Sequence, residues 1–220
     1  MIRRPRIREA ARWERGGLVS RVQRMKFPYR HQHCSDLFAR LSRAVLISAI
    51  AANHWRLPDE YMDFLEEHNG MEFSGEVRGR VLAYQYAMNR AIDGPCGFRM
   101  QFKKWPRKRV HVDYCGFIDT LFGVSRGDAP FDIVVQQKWG LFSECVPDNF
   151  IAIGGASDAS FVVLCLRGEW EGKVFRWTPS SDPDSPDERK SLSRLHFVAD
   201  SFLEFWDNLA EISASAVIVD

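Results

Sequence analysis

The segment LPDEYMDFLEEHNG, residues 57–70, constrains the fold more than any other part of the chain. Pro58 suits the first helical position, where a missing N–H goes unnoticed, and Asp59 and Glu60 favour the positive end of the helix dipole. Gly70 suits the left-handed residue that stops a helix. Between these signals Tyr61, Phe64, Leu65 and His68 recur at helical spacing, so the helix must bury one face against a larger partner. The sequence after Gly70 supplies that partner. Its texture changes to short β-like runs parted by turn residues, at 77–86, 110–114, 117–122, 131–135, 161–166 and 173–177.

The flanks complete the pattern. Residues 35–52 place Leu37, Leu41, Ala44, Val45 and Ser48 on one helical face, with Arg40 and Arg43 off it, which predicts an earlier amphipathic helix. The runs at 161–166 and 173–177 are joined by RGEWEG, where Gly168 and Gly172 suit a hairpin connection. Residues 178–191 are rich in Pro, Ser and Asp and too poor in apolar side chains to pack. A closing helix begins near Asp200, capped by Asp200 or Ser201, with Phe202, Phe205, Trp206 and Leu209 on one face. The expected class is α+β: an antiparallel or mixed β-sheet with N-terminal helices and a C-terminal helix packed on it.

A chain of 220 residues with 45% hydrophobic side chains supports one sizeable core. Residues 1–30, which scatter ten basic side chains among Pro5, Gly16, Gly17 and Pro28, read as a flexible arm. Met25 is an alternative start, and a transit peptide an alternative reading of the arm. Residues 31–215 form the expected single domain, interrupted by a basic insert near 84–109. No stretch reaches the roughly eighteen apolar residues of a membrane span, and no apolar signal core follows the N-terminal arginines, so a cytoplasmic location is expected.

Four local patterns, in order, resemble the SUKH superfamily, which includes a yeast regulator of cell-wall glucan synthesis and many bacterial toxin-immunity proteins. Leu57, Pro58, Tyr61, Leu65, Asn69 and Gly70 match its opening helix ending in NG, and Phe122 and Gly123 its hydrophobic-FG strand end. Pro147 and Gly154 fall in a stretch resembling its proline, apolar segment and Gly/Asp turn before a buried strand. Gly172, Trp177 and Phe202 match its strand ending in Trp and its terminal helix. The likeness covers residues 50–210 and leaves 84–109 without a counterpart. It implies an α+β domain for protein recognition, most often inhibition of a toxin, and carries over no catalytic residue.

Charge segregation points the same way. Residues 1–30 carry ten basic and two acidic side chains, residues 99–109 six basic and none acidic, and residues 110–220 eight basic against eighteen acidic. An acidic C-terminal half attracts basic partners and speeds their encounter. The expected contact residues are Glu144, Asp148, Asp158, Glu169 and Glu171, around turns expected to share one edge, with Trp170 as an aromatic anchor. Trp139, also beside a glycine, is a second candidate anchor, and local packing is the competing role for both tryptophans.

Other chemistries find less support. The five cysteines, Cys34, Cys96, Cys115, Cys145 and Cys165, fit neither a disulfide framework nor a CxxC pair. His31, His33 and Cys34 could begin a zinc site, but no fourth ligand has a recognisable spacing, so no metal or other cofactor is expected. KKWPRKR, residues 103–109, could hold phosphates around Trp105, although a solvated charge run between acidic segments weighs against nucleic acid. GGASD, residues 154–158, lacks the phosphate-loop ending and reads as a hairpin turn. Asp113, Asp119, Asp128 and Asp132 show no spacing that makes an acid/base pair converge. The expectation is a non-enzymatic protein-binding module: an immunity protein against a toxin with a basic surface. A regulatory scaffold of the cell-wall-regulator type is the second reading and a metal-dependent hydrolase using the histidines the third.

Overall fold

A computed structural model describes residues 27, 33–74, 79–86, 100–102, 114–125, 129–138, 146–178, 192–213 and 217–219. The fold is α+β. Among these residues the elements run β1 (Cys34–Asp36), α1 (Arg43–Ala51), α2 (Asp59–Glu67), β2 (Met71–Phe73), β3 (Arg80–Tyr86), β4 (Met100–Phe102), β5 (Tyr114–Phe117), β6 (Thr120–Leu121) and α3 (Ile133–Lys138). They continue with β7 (Phe150–Gly155), β8 (Phe161–Cys165), β9 (Val174–Trp177), β10 (Leu195–Ala199), α4 (Phe202–Asn208), β11 (Ala210–Ser213) and β12 (Val217–Val219). Seven strands form one antiparallel sheet in the order β1-β2-β6-β7-β8-β9-β10, beside a three-stranded sheet β11-β3-β5 and a pair β12-β4.

The helix α2 follows its sequence signals closely. Asp59 and Glu60 occupy its first turn, and Pro58 stands at the N-cap, one place earlier than expected. Tyr61, Phe64, Leu65 and His68 are all buried. Tyr61, Phe64 and His68 face α4, where Phe202 lies 4.8 Å from the Tyr61 ring and 5.1 Å from that of Phe64, and Trp206 lies 5.2 Å from Phe64 and 5.9 Å from His68. Ser201 caps α4 by accepting from the Glu204 N–H, which in sequence is the S-x-x-E capping signature.

The end of α2 fixes how the helices meet the sheet. Asn69 and Gly70 both take left-handed backbone conformations, at φ 54° and 91°. This turn brings the chain against Gly123 so tightly that a Cβ at residue 123 would lie 2.2 Å from the Asn69 carbonyl oxygen. The Asn69 side chain, fully buried, donates to the carbonyls of Ala39 (2.7 Å) and Val124 (2.8 Å) and accepts from the Val124 N–H (2.8 Å). Tyr61 adds a hydrogen bond from its hydroxyl to the Phe122 carbonyl at 2.9 Å. The NG and FG patterns, 53 positions apart, are thus two halves of one contact.

Several expectations are corrected. The helix expected over 35–52 starts at Arg43, and the stretch Cys34–Asp36 is instead an edge strand paired with β2. Its buried residues are Leu46 and Ile50, whereas Ala44, Val45 and Ser48 face solvent. The segment AVLISAIA is apolar nearly all round, so periodicity alone does not identify its buried face. The run at 131–135 is not a strand, because buried Asp132 accepts from the N–H groups of Val134 and Val135 and starts α3. Gly154 and Gly155 lie within β7 rather than in a turn; a Cβ on Gly154 would meet the Thr120 carbonyl of β6 at 2.7 Å, and the turn itself is 156–160. Phe27, assigned to the arm, is buried completely against Phe64, Phe202 and Trp206, so the domain begins before residue 31. At the other end β12 extends past residue 215.

Leu65 is fully buried, so Leu65→Ala should cost on the order of 2–5 kcal/mol in denaturant melts. Glu66 is partly exposed and only 3.8 Å from Arg43 Nη1, so Glu66→Ala should cost less than about 1 kcal/mol. Equal losses would contradict the orientation of α2.

Candidate protein-binding site

The strand register sorts the acidic candidates into two groups at opposite ends of the large sheet. Phe150 pairs with Cys165 and Leu164 with Val174, so the start of β7, the end of β8 and the start of β9 share one end. Gly155 pairs with Phe161 and Phe161 with Trp177, which puts the 156–160 turn at the other.

The first end collects Asp148, Glu169 and Glu171, all exposed, around the half-buried Trp170. The β8–β9 connection that carries three of these is closed by its own backbone: Gly172 N–H donates to the Cys165 carbonyl (2.9 Å) and Lys173 N–H to that of Trp170 (2.9 Å). Gly168 and Gly172 take positive φ, 97° and 82°, the conformations expected of them in the connection. Asn149 ties the two turns together, since its side-chain amide donates to the Arg167 carbonyl at 3.4 Å and its own carbonyl accepts from Leu166 N–H at 2.8 Å. Trp170 lies 6.4 Å from the Phe150 ring and 5.5 Å from that of Phe175, so it caps the core. Its inner face packs locally while part of the indole remains accessible.

Two further residues belong to this end. Because β10 pairs with β9, it delivers exposed Asp200 beside Lys173, with an Oδ1–Nζ distance of 3.0 Å. Both escaped the sequence reading because strand β10, LHFVA, was not anticipated; its burial does not alternate, with a buried pair at each end around half-buried Phe197. Four carboxylates then share the end with Arg167 and Lys173, a net acidic surface.

Asp158 is at the far end and serves the fold instead. Its carboxylate accepts from Ser160 N–H (2.9 Å) and from Arg176 Nη2 (2.8 Å). Arg176 is buried, 6% exposed, with its guanidinium 5.0 Å from the Tyr86 ring centroid and Nη1 3.4 Å from the Tyr86 hydroxyl. Burial works against its charge, but Tyr84, Tyr86 and Asp158 outweigh this and raise its pKa. His196, opposite Arg176 in the register, is driven the other way: burial, then the Arg176 charge, lowers its pKa to about 4. The expectation that all five carboxylates share one edge therefore fails for Asp158, because a single β-strand separates its turn from the others. Glu144 and Trp139 lie outside the described residues.

The remaining motifs are dispersed. His33 Nδ1 is 2.9 Å from Glu211 Oε1, which also accepts from Arg80 Nε at 3.0 Å. Burial, and secondarily Glu211, pushes the Cys34 thiol up to about 12, far from the thiolate that zinc binds. Among the described residues no three potential ligands gather. Asp119 and Asp132 are occupied with backbone N–H groups, of Ser157 and of the α3 start. His31, Asp113, Asp128 and the KKWPRKR segment fall outside the described residues. Among those described, no helix is long and apolar enough to cross a membrane.

A family model described as SMI1 / KNR4 family (SUKH-1) matches residues 41–208, from two residues before α1 to the last residue of α4. The chain belongs to the SMI1 / KNR4 family (SUKH-1). No curated protein and no solved structure matches it. The SUKH-1 match includes the Asn69–Gly123 contact and both ends of the large sheet, whereas β11 and β12 lie beyond it. Membership fits a protein-binding role of the immunity or regulator kind, in a family that is generally non-catalytic.

The two groups of carboxylates should respond differently to mutation. Asp158→Ala deprives buried Arg176 of its ion-pair partner and should cost about 1–3 kcal/mol in denaturant melts, a value reduced from a fully buried pair because Asp158 is partly exposed. Glu169→Ala should cost less than about 0.5 kcal/mol. Similar losses for both would contradict this division.

Proposed function

We propose that this chain is an immunity protein of the cytoplasm that neutralises a cognate toxin with a basic surface, by a non-catalytic one-to-one complex. The observation that carries the reading is the gathering of Asp148, Glu169, Glu171 and Asp200 around Trp170 at one end of the sheet. Toxins that act on nucleic acid present cationic surfaces to it, and a carboxylate-rich inhibitor competes for the same surface. Trp170 supplies an aromatic anchor already held by Phe150 and Phe175, so little side-chain freedom is lost on binding. Family membership supports a protein-binding role and is equally compatible with a regulatory scaffold of the cell-wall-regulator type. Charge at this end favours the immunity reading.

The test is binding to the product of a toxin gene adjacent to this chain's own gene. Reversing Glu169 and Glu171 to Lys should slow association about tenfold or more at low salt, with the difference shrinking as salt rises. Trp170→Ala, first shown to be folded, should act mainly on dissociation. A neighbouring toxin that binds with rates unchanged by these substitutions would overturn the proposed surface; the absence of any toxin beside the gene would favour the scaffold.

A further inference from the structure

Twice around the large sheet a cation of this chain is held between an aromatic ring and a carboxylate. The buried Arg176 guanidinium lies 5.0 Å from the Tyr86 ring centroid and donates from Nη2 to Asp158 at 2.8 Å. Lys173 Nζ lies 5.8 Å from the Phe197 centroid and 3.0 Å from Asp200 Oδ1. Trp170 has the same components about it, since Glu169 and Glu171 flank it in the chain. Both glutamates are exposed, and among the described residues neither carboxylate takes a hydrogen bond or an ion pair. Arg167, exposed in the same turn, pairs with neither of them, and Lys173 is committed to Asp200. The indole itself is pinned by Phe150 and Phe175, with part of its surface accessible.

We propose, on the reading that the acidic end is the contact surface, that Trp170 with Glu169 and Glu171 receives an arginine side chain of the basic partner. Among aromatic rings an indole face attracts cations most strongly. A guanidinium is planar, more weakly hydrated than an ammonium, and carries a fork of N–H donors, so it lies on the ring while its edge donates to a carboxylate. A lysine ammonium holds its water more tightly and has no such fork. Because neither glutamate is engaged within the chain, no internal ion pair has to break before the guanidinium enters. At the neighbouring Lys173–Asp200 pair an incoming cation would have to displace one already bound, which directs the arginine to Trp170.

Two peptides of equal charge read this preference on the full chain: pentalysine, and the same peptide with arginine at its centre, each titrated at low salt and followed by NMR. The arginine peptide should bind about fivefold more tightly and move the backbone resonances from Arg167 to Lys173. Its arginine Cδ protons should show the upfield ring-current shift that an indole face produces. Trp170→Leu should remove the difference between the two peptides, whereas Glu169→Gln combined with Glu171→Gln should weaken both. Equal affinities, or a preference that survives in Trp170→Leu, would overturn the arginine receptor while leaving the acidic contact surface in place. If neither peptide moves the turn, the acidic surface falls together with the receptor. The ring-current shift is read on the unaltered chain, so it decides the matter if Trp170→Leu does not fold; its absence while the arginine peptide occupies the turn contradicts the proposal.

Discussion

The fold depends on the contact between Asn69–Gly70 and Gly123–Val124. A helix end and a strand end meet there at backbone distance, and the Asn69 amide that joins them is satisfied on both its nitrogen and its oxygen. Buried polar groups are costly unless fully hydrogen-bonded, so this arrangement tolerates few alternatives. Two left-handed residues turn the chain, and a glycine opposite admits it. With that junction fixed, α2 must present Tyr61 and Phe64 to α4, and β2 must continue into the large sheet beside β6.

How much of this was legible in the sequence depended on whether the signal was local. The bounds and buried face of α2 could be read from Pro58, the acidic first turn and the 3.6-residue period, and the cap of α4 could be narrowed to Asp200 or Ser201. The β8–β9 connection was legible from its glycines. What escaped was settled by tertiary partners. The face of α1 is chosen by what lies beneath Leu46 and Ile50, since its sequence is apolar on every side. The 131–135 run has strand-like composition, yet one aspartate cap turns it into a helix. Gly154 and Gly155 look like turn residues and are strand residues that let β6 approach.

The same distinction governs the candidate site. The acidic excess of the C-terminal half was plain from composition, but composition does not say which carboxylates serve the fold. Asp158 and Glu169 are equivalent in the sequence, each in a turn beside strand β8. The register places them a strand length apart, and buried Arg176 claims one of them. Asp200 joins the acidic end only through the β9–β10 pairing, a long-range contact with no local sign. Trp170, whose place beside glycine suggested an exposed anchor, is half held by the core. That partial burial makes it a rigid element at the centre of the acidic end.

Hydrogen–deuterium exchange on the complex with the cognate partner would test this account most directly. The account predicts that protection on binding is gained at the acidic end of the sheet, in the backbone around Asp148, through the turn from Arg167 to Lys173 and near Asp200. A footprint confined to the Asp158 turn or to the exposed face of α1, with the β8–β9 turn exchanging as in the free chain, would contradict it.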